Sequence, residues 1–110
     1  MRIYIVERID GWGGATELGY FLKFERAYTA LETFVREQMH DTRENRVSKY
    51  DLDPGKKNGK IEYLPERKRG PFRKNVLYVA AVFEWCKTSY EYEEYDIGGV
   101  DYRLKVVNAT

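Results

Sequence analysis

At 110 residues, with 43% hydrophobic content and a net charge of +1, the chain has the size and composition of one globular domain spanning residues 1–110, long enough for a real core. With that balance the molecule as a whole carries no nucleic-acid signature, and the single cysteine, Cys86, excludes an internal disulfide and suits a reducing compartment. No apolar run approaches the length of a membrane span and Met1 leads straight into a strand pattern without a signal peptide, so no membrane partner and a cytoplasmic location are expected.

Residues 2–9 alternate as a strand. Ile3 and Ile5 share one face, and Arg2, Tyr4, Val6 and Arg8 share the other. Residues 10–14, Asp-Gly-Trp-Gly-Gly, are rich in turn formers that tolerate positive φ. Residues 16–22 read as a second strand, so the first two strands are expected to form an antiparallel hairpin. The period then changes. Phe24, Ala27, Tyr28, Leu31, Phe34, Val35 and Met39 recur at the three-then-four spacing of one helical face, which predicts a helix over 24–39. Glu25, Arg26, Thr29, Glu32, Thr33, Arg36 and Glu37 fall on the opposite face. An isolated helix of this length is marginal in water, so its stripe must cover a sheet.

Residues 40–58 are polar and broken by Asp53-Pro54-Gly55; they read as a connection with a turn near Val47 and Tyr50. Residues 60–64 read as a short strand or loop arm, and 65–74 as a basic loop with two prolines. A basic connection over 40–75 is long for so small a domain, and stretches of this kind are functional or mobile. Residues 76–85 are the most apolar run, and their β-branched and aromatic content predicts a central strand. Residues 90–97 and 100–107 alternate on either side of Gly98-Gly99, which predicts a hairpin turning at the two glycines. In the last strand Val100, Tyr102, Leu104 and Val106 face one way, and Asp101, Arg103 and Lys105 the other. The expected fold is α+β, in the order β-β-α-β-β-β: a mainly antiparallel sheet of about five strands with one long amphipathic helix packed on one face.

Three stretches resemble a known group when taken together: the opening Met1-Arg-Ile-Tyr-Ile-Val-Glu7, the strand Gly19-Tyr-Phe-Leu22 running into a helix, and the late Tyr92-Glu-Glu-Tyr-Asp-Ile97. The chain resembles small α+β proteins common in phage and bacterial genomes. The likeness covers about half of the chain, and the long connection from His40 to Lys74 departs from the compact form of that group. It implies a small accessory protein, phage-encoded, and transfers no functional residue.

Candidate chemistry is sparse. Gly11-Trp12-Gly13-Gly14 lacks the third glycine of a dinucleotide fingerprint and precedes a strand, so a hairpin loop is the better reading. The run from Gly55 to Lys60 is one residue short of a phosphate loop, and Ile61 stands where a hydroxyl must hold magnesium. Asp51, Asp53 and Glu62 match three positions of a calcium loop, but Lys56 occupies the place that needs glycine. One histidine, His40, and one cysteine cannot complete a usual zinc site. Nothing separates Glu91, Glu93 and Glu94 as an acid–base pair from a plain acidic surface. No catalytic residue, metal or cofactor is expected, and the chain reads as a binding protein rather than an enzyme.

Charge is distributed unevenly. Residues 43–74 hold eleven Lys and Arg against five acids, a balance of +6, while residues 84–96 hold five acids against Lys87, a balance of −4. Two binding surfaces follow. The acidic, aromatic set Tyr90, Glu91, Tyr92, Glu93, Glu94 and Tyr95 suits a protein partner from host or phage, because tyrosine gives large contact area at low entropic cost. The resulting reading is a small regulatory protein, an inhibitor or accessory factor. The alternative surface is Lys56, Lys57, Lys60, Arg67, Lys68, Arg69, Arg73 and Lys74, with Tyr63 and Phe72 among them. Cations follow a phosphate backbone while rings stack on bases, so this set suits single-stranded RNA or DNA. A homo-oligomer formed through an exposed strand edge is the third reading.

Overall fold

A computed structural model describes residues 1–10, 13–45, 59–87 and 95–109, with side chains placed for all of these except 40–45, 83–87 and 95–98. β1 (Arg2–Ile9) and β2 (Ala15–Phe21) pair antiparallel, from Tyr4 opposite Phe21 to Ile9 opposite Ala15. The hairpin closes on Asp10: its N–H donates to Gly14 O at 3.0 Å, and its Oδ1 accepts from the Gly14 N–H at 2.9 Å. Gly13 sits at φ 84°, the left-handed conformation that glycine adopts without strain.

The helix α1 (Phe24–Asn45) follows at once. It runs past the last apolar position, Met39, where the sequence pattern placed the start of a connection. Residues 40–45 contain no Gly or Pro, so the hydrogen-bond ladder continues although the apolar stripe has ended. On its solvent side Arg36 and Glu32 pair at 3.1 Å, one turn apart. The expected turn near Val47 and Tyr50 lies outside the described residues.

The chain returns at Gly59, whose N–H donates to Ala81 O at 2.8 Å. Then come β3 (Glu62–Tyr63), β4 (Val76–Lys87) and β5 (Tyr95–Asn108), and the sheet order is β2-β1-β5-β4-β3 with every neighbouring pair antiparallel. The fold is the α+β arrangement expected, a five-stranded antiparallel sheet with one helix packed on it, but its last three strands are drawn differently. Gly98 and Gly99 do not turn the chain. They lie inside β5, opposite Glu84 and Phe83 of β4, and the β4–β5 ladder runs on to Lys87 opposite Tyr95. β5 thus takes the centre of the sheet, and β4 stands between it and the two-residue β3. β1 accompanies β5 only as far as Ile9 opposite Asp101, so beyond that pair β4 and β5 continue as a two-stranded ribbon.

Alternation sorts the side chains. Val6 of β1, Ala80 and Val82 of β4, and Val100, Tyr102 and Leu104 of β5 are buried against Ala27, Leu31 and Val35 of α1. Ala27, Leu31 and Val35 belong to the helical stripe, and Val100, Tyr102 and Leu104 to one alternating face of the last strand, as the periodicity groups them. A row of rings extends this core along the helix. Phe24 contacts Tyr4, Tyr28 and Tyr78 at centroid distances of 5.8, 5.9 and 5.7 Å, and Tyr78 meets Tyr63 edge-on at 5.5 Å.

The other face of the sheet carries charge. Glu7, only 6% exposed, accepts from Lys105 Nζ at 3.1 Å, and Arg103 pairs with Asp101 at 3.5 Å. The Tyr20 hydroxyl donates to Glu17 on the same strand.

Candidate nucleic-acid interface

The short strand β3 is the base from which the basic segment rises. Tyr63 pairs with Tyr78, and the Leu64 N–H donates to Leu77 O at 2.8 Å. Leu64 and Val76 are buried, so both legs of the segment are rooted in apolar packing. A bulge at Leu77 accommodates the join: Val76 faces Lys105 and Tyr78 faces Leu104, so Leu77 is the extra residue.

Residues 65–74 are more ordered than a plain loop. A first 3-10 turn, Glu66–Lys68, follows Pro65, and a second, Pro71–Arg73, begins on Pro71. Proline at the head of such a turn loses no hydrogen bond and arrives with φ already set. The Lys68 N–H donates to Pro65 O at 2.8 Å and the Arg73 N–H to Gly70 O at 2.9 Å. Arg69 folds back so that its Nε donates to Leu64 O at 3.0 Å, closing the first turn onto its own base. Beyond the second turn the Val106 N–H donates to Asn75 O at 2.9 Å, fixing the segment to the central strand.

On this frame stand six of the eight cations expected at a nucleic-acid surface. Lys60, Arg67, Lys68 and Lys74 are exposed, and Arg69 and Arg73 are half-buried. Residues 59–74 hold these six cations against two carboxylates, Glu62 and Glu66. Two rings project among them: Phe72 is 93% exposed and Tyr63 is 58% exposed. The two differ in support. Tyr63 rests against Tyr78 and through it on the aromatic row beneath the helix, whereas Phe72 stands in solvent. Arg69 serves the turn itself, whereas the side chains of Arg67, Lys68, Arg73 and Lys74 make no bond to a described residue.

The remaining expected site residues are not brought into view. Lys56 and Lys57 lie outside the described residues, as do Tyr90, Glu91, Tyr92, Glu93 and Glu94. Tyr95 is placed by its backbone, opposite Lys87 at the start of β5. Among the described residues no three His, Cys, Asp or Glu side chains gather as a group that could hold a metal ion, and no helix is long and apolar enough to cross a membrane.

The sequence pattern missed a second surface. Tyr20, Phe21, Leu22, Lys23 and Arg26 line a hollow of about 340 Å³ where β2 hands over to α1. The strand pattern of residues 16–22 takes in Leu22 as its last position. The available signal was that Leu22 fits neither neighbouring pattern: β2 stops at Phe21, and the helical stripe begins at Phe24.

No family model matches the chain, and no curated protein and no solved structure matches it.

Proposed function

We propose that this chain is a non-enzymatic binding protein whose basic 3-10 segment holds single-stranded nucleic acid. The observation that carries the reading is Phe72, 93% exposed at the tip of a turn between Arg69 and Arg73. A phenyl ring so placed gains nothing from the fold and loses its contact with water only when something covers it. Unpaired bases offer flat faces to cover it, and the neighbouring cations supply the attraction for phosphate. Tyr63 offers a second ring at the root of the same segment. Phe72 lies five residues before Leu77, which is bonded to Leu64 beside Tyr63, so the two rings stand within reach of one short strand, no more than about 27 Å apart at their backbones.

The test is a titration of a labelled oligothymidine of about 12 nucleotides, followed by fluorescence anisotropy at several salt concentrations. Each phosphate contact contributes about 0.7 to the slope of log K against log salt for a single strand. Replacing Arg67, Lys68 and Lys74 together by Ala is expected to weaken binding and to make the slope shallower by about 2. Arg69 is left in place because its guanidinium holds the turn. Unchanged affinity and slope in the triple variant, or no binding by the parent chain, removes the reading.

A further inference from the structure

Among the described residues β2 is an edge strand, with β1 on one side and no strand on the other. In an antiparallel ladder alternate residues direct their N–H and C=O groups away from the partner, so β2 presents main-chain groups to solvent. Its pairing with β1 shifts between Val6 and Glu7, where Gly19 faces Val6 and Glu17 faces Glu7. Leu18 is therefore the extra residue of a bulge. The bulge interrupts a continuous edge and disfavours pairing along the full length of β2. It leaves a regular stretch, residues 19–21, directly beside the hollow lined by Tyr20, Phe21, Leu22, Lys23 and Arg26.

That hollow combines two chemistries. Tyr20 is 63% exposed and Leu22 68% exposed, a pair of large apolar side chains next to each other at the surface. Lys23 and Arg26 are exposed as well, no carboxylate lines the hollow, and neither cation makes an ion pair with a described residue. Glu17, three residues before Tyr20, is engaged by the Tyr20 hydroxyl, and Glu25, beside Arg26 in the first helical turn, does not line the hollow. An occupant must therefore bring apolar surface, negative charge and main-chain hydrogen-bonding groups of its own. A nucleic acid brings charge but no strand-forming main chain, and a neutral small molecule brings neither.

We infer that β2 and this hollow are a docking surface for an extended, acidic segment of a partner protein. The segment adds as a strand beside residues 19–21, seats one apolar side chain against Tyr20 and Leu22, and places its carboxylates on Lys23 and Arg26. Main-chain pairing supplies affinity, and the apolar seat and the two cations supply selectivity. This surface is separate from the basic 3-10 segment, with no residue in common.

The test is a display selection of random peptides of about ten residues against the full-length chain. The recovered sequences are expected to be acidic, to carry one large apolar residue and to lack proline at the centre. The tightest peptide, labelled, is then titrated onto variants. Lys23→Glu with Arg26→Glu is expected to weaken it at least tenfold, Leu22→Ser to weaken it several-fold, and Phe72→Ala to leave it unchanged. All four substituted residues are exposed, and circular dichroism checks that each variant keeps its fold. Peptides with no acidic bias, affinity unchanged by the double charge reversal, or peptide binding lost with Phe72→Ala overturns the inference. So does a chain that sediments as a dimer at all concentrations and loses the dimer on Leu22→Ser, because β2 is then occupied by a second copy.

Discussion

Tyr102 of β5 donates its hydroxyl hydrogen to Gln38 Oε1 of α1 at 2.9 Å, a bond between residues sixty-four apart in sequence. Tyr102 of the central strand is buried, and its ring lies in the layer between sheet and helix. The bond sits near the last apolar turn of the helix and ties that turn to the middle of the sheet. Tyr102→Phe keeps the ring and removes the hydroxyl. It is expected to cost about 1 kcal/mol in urea unfolding with the same denaturant slope. The loss in the Gln38→Ala, Tyr102→Phe double variant should fall short of the sum of the two single losses, and full additivity argues that the bond contributes nothing.

The helical stripe makes a contrast between two leucines. Leu31 is fully buried between helix and sheet, while Leu22 is largely exposed. Leu31→Ala is expected to cost about 2–5 kcal/mol, and Leu22→Ala to stay within about 0.5 kcal/mol of the parent. Thermal or urea unfolding of both variants checks the difference. Similar losses for the two would contradict the placement of the stripe.

Gly59 returns the chain from the helix to the sheet at φ 73°, and a Cβ there would run into Met39 Sδ. Gly70, between the two 3-10 turns, has φ −76° and nothing within 4 Å of a Cβ. Gly59→Ala is therefore expected to destabilise by about 1–3 kcal/mol, partly relieved by Met39→Ala. Gly70→Ala is expected to be neutral or to stabilise by up to about 1 kcal/mol. Unfolding midpoints distinguish the two, and equal effects would contradict the geometry at Gly59.

Glu7 is buried on the charged face of the sheet and is paired there by Lys105. Lys105→Met leaves that carboxylate without its cation and is expected to cost about 1–3 kcal/mol. Adding Glu7→Gln should recover part of the loss, because the uncompensated charge is then gone. No recovery in the double variant would show that Lys105 acts through its methylenes alone.

The legible parts of the fold are those where period and burial agree. The stripe from Phe24 to Met39 announces the helix, and the alternation of Val100, Tyr102 and Leu104 announces the core face of the last strand. Each of those residues is buried or half-buried as the spacing requires. Gly98-Gly99 misled because two glycines between alternating segments are the same letters whether they turn or run straight. The deciding information is non-local. β4 has twelve residues, and a partner starting at residue 100 would leave its outer half unpaired, whereas a fourteen-residue β5 matches it through to Lys87. The end of the helix was illegible for a related reason: residues 40–45 are polar throughout, and helix without an apolar stripe has no period to read. At the site, composition and charge located the basic segment and its two rings. They did not show that Arg69 is committed to Leu64 O, because a side chain's return to its own backbone leaves no trace in spacing.

The central claim is that the basic 3-10 segment is a surface for single-stranded nucleic acid. The most direct measurement is a titration of the isotopically labelled chain with short oligothymidine, followed by amide chemical shifts. Concentration-dependent shifts confined to residues 60–74, and abolished in Phe72→Ala, are the result expected. Shifts spread elsewhere with 60–74 silent, or no shifts at all, contradict the claim.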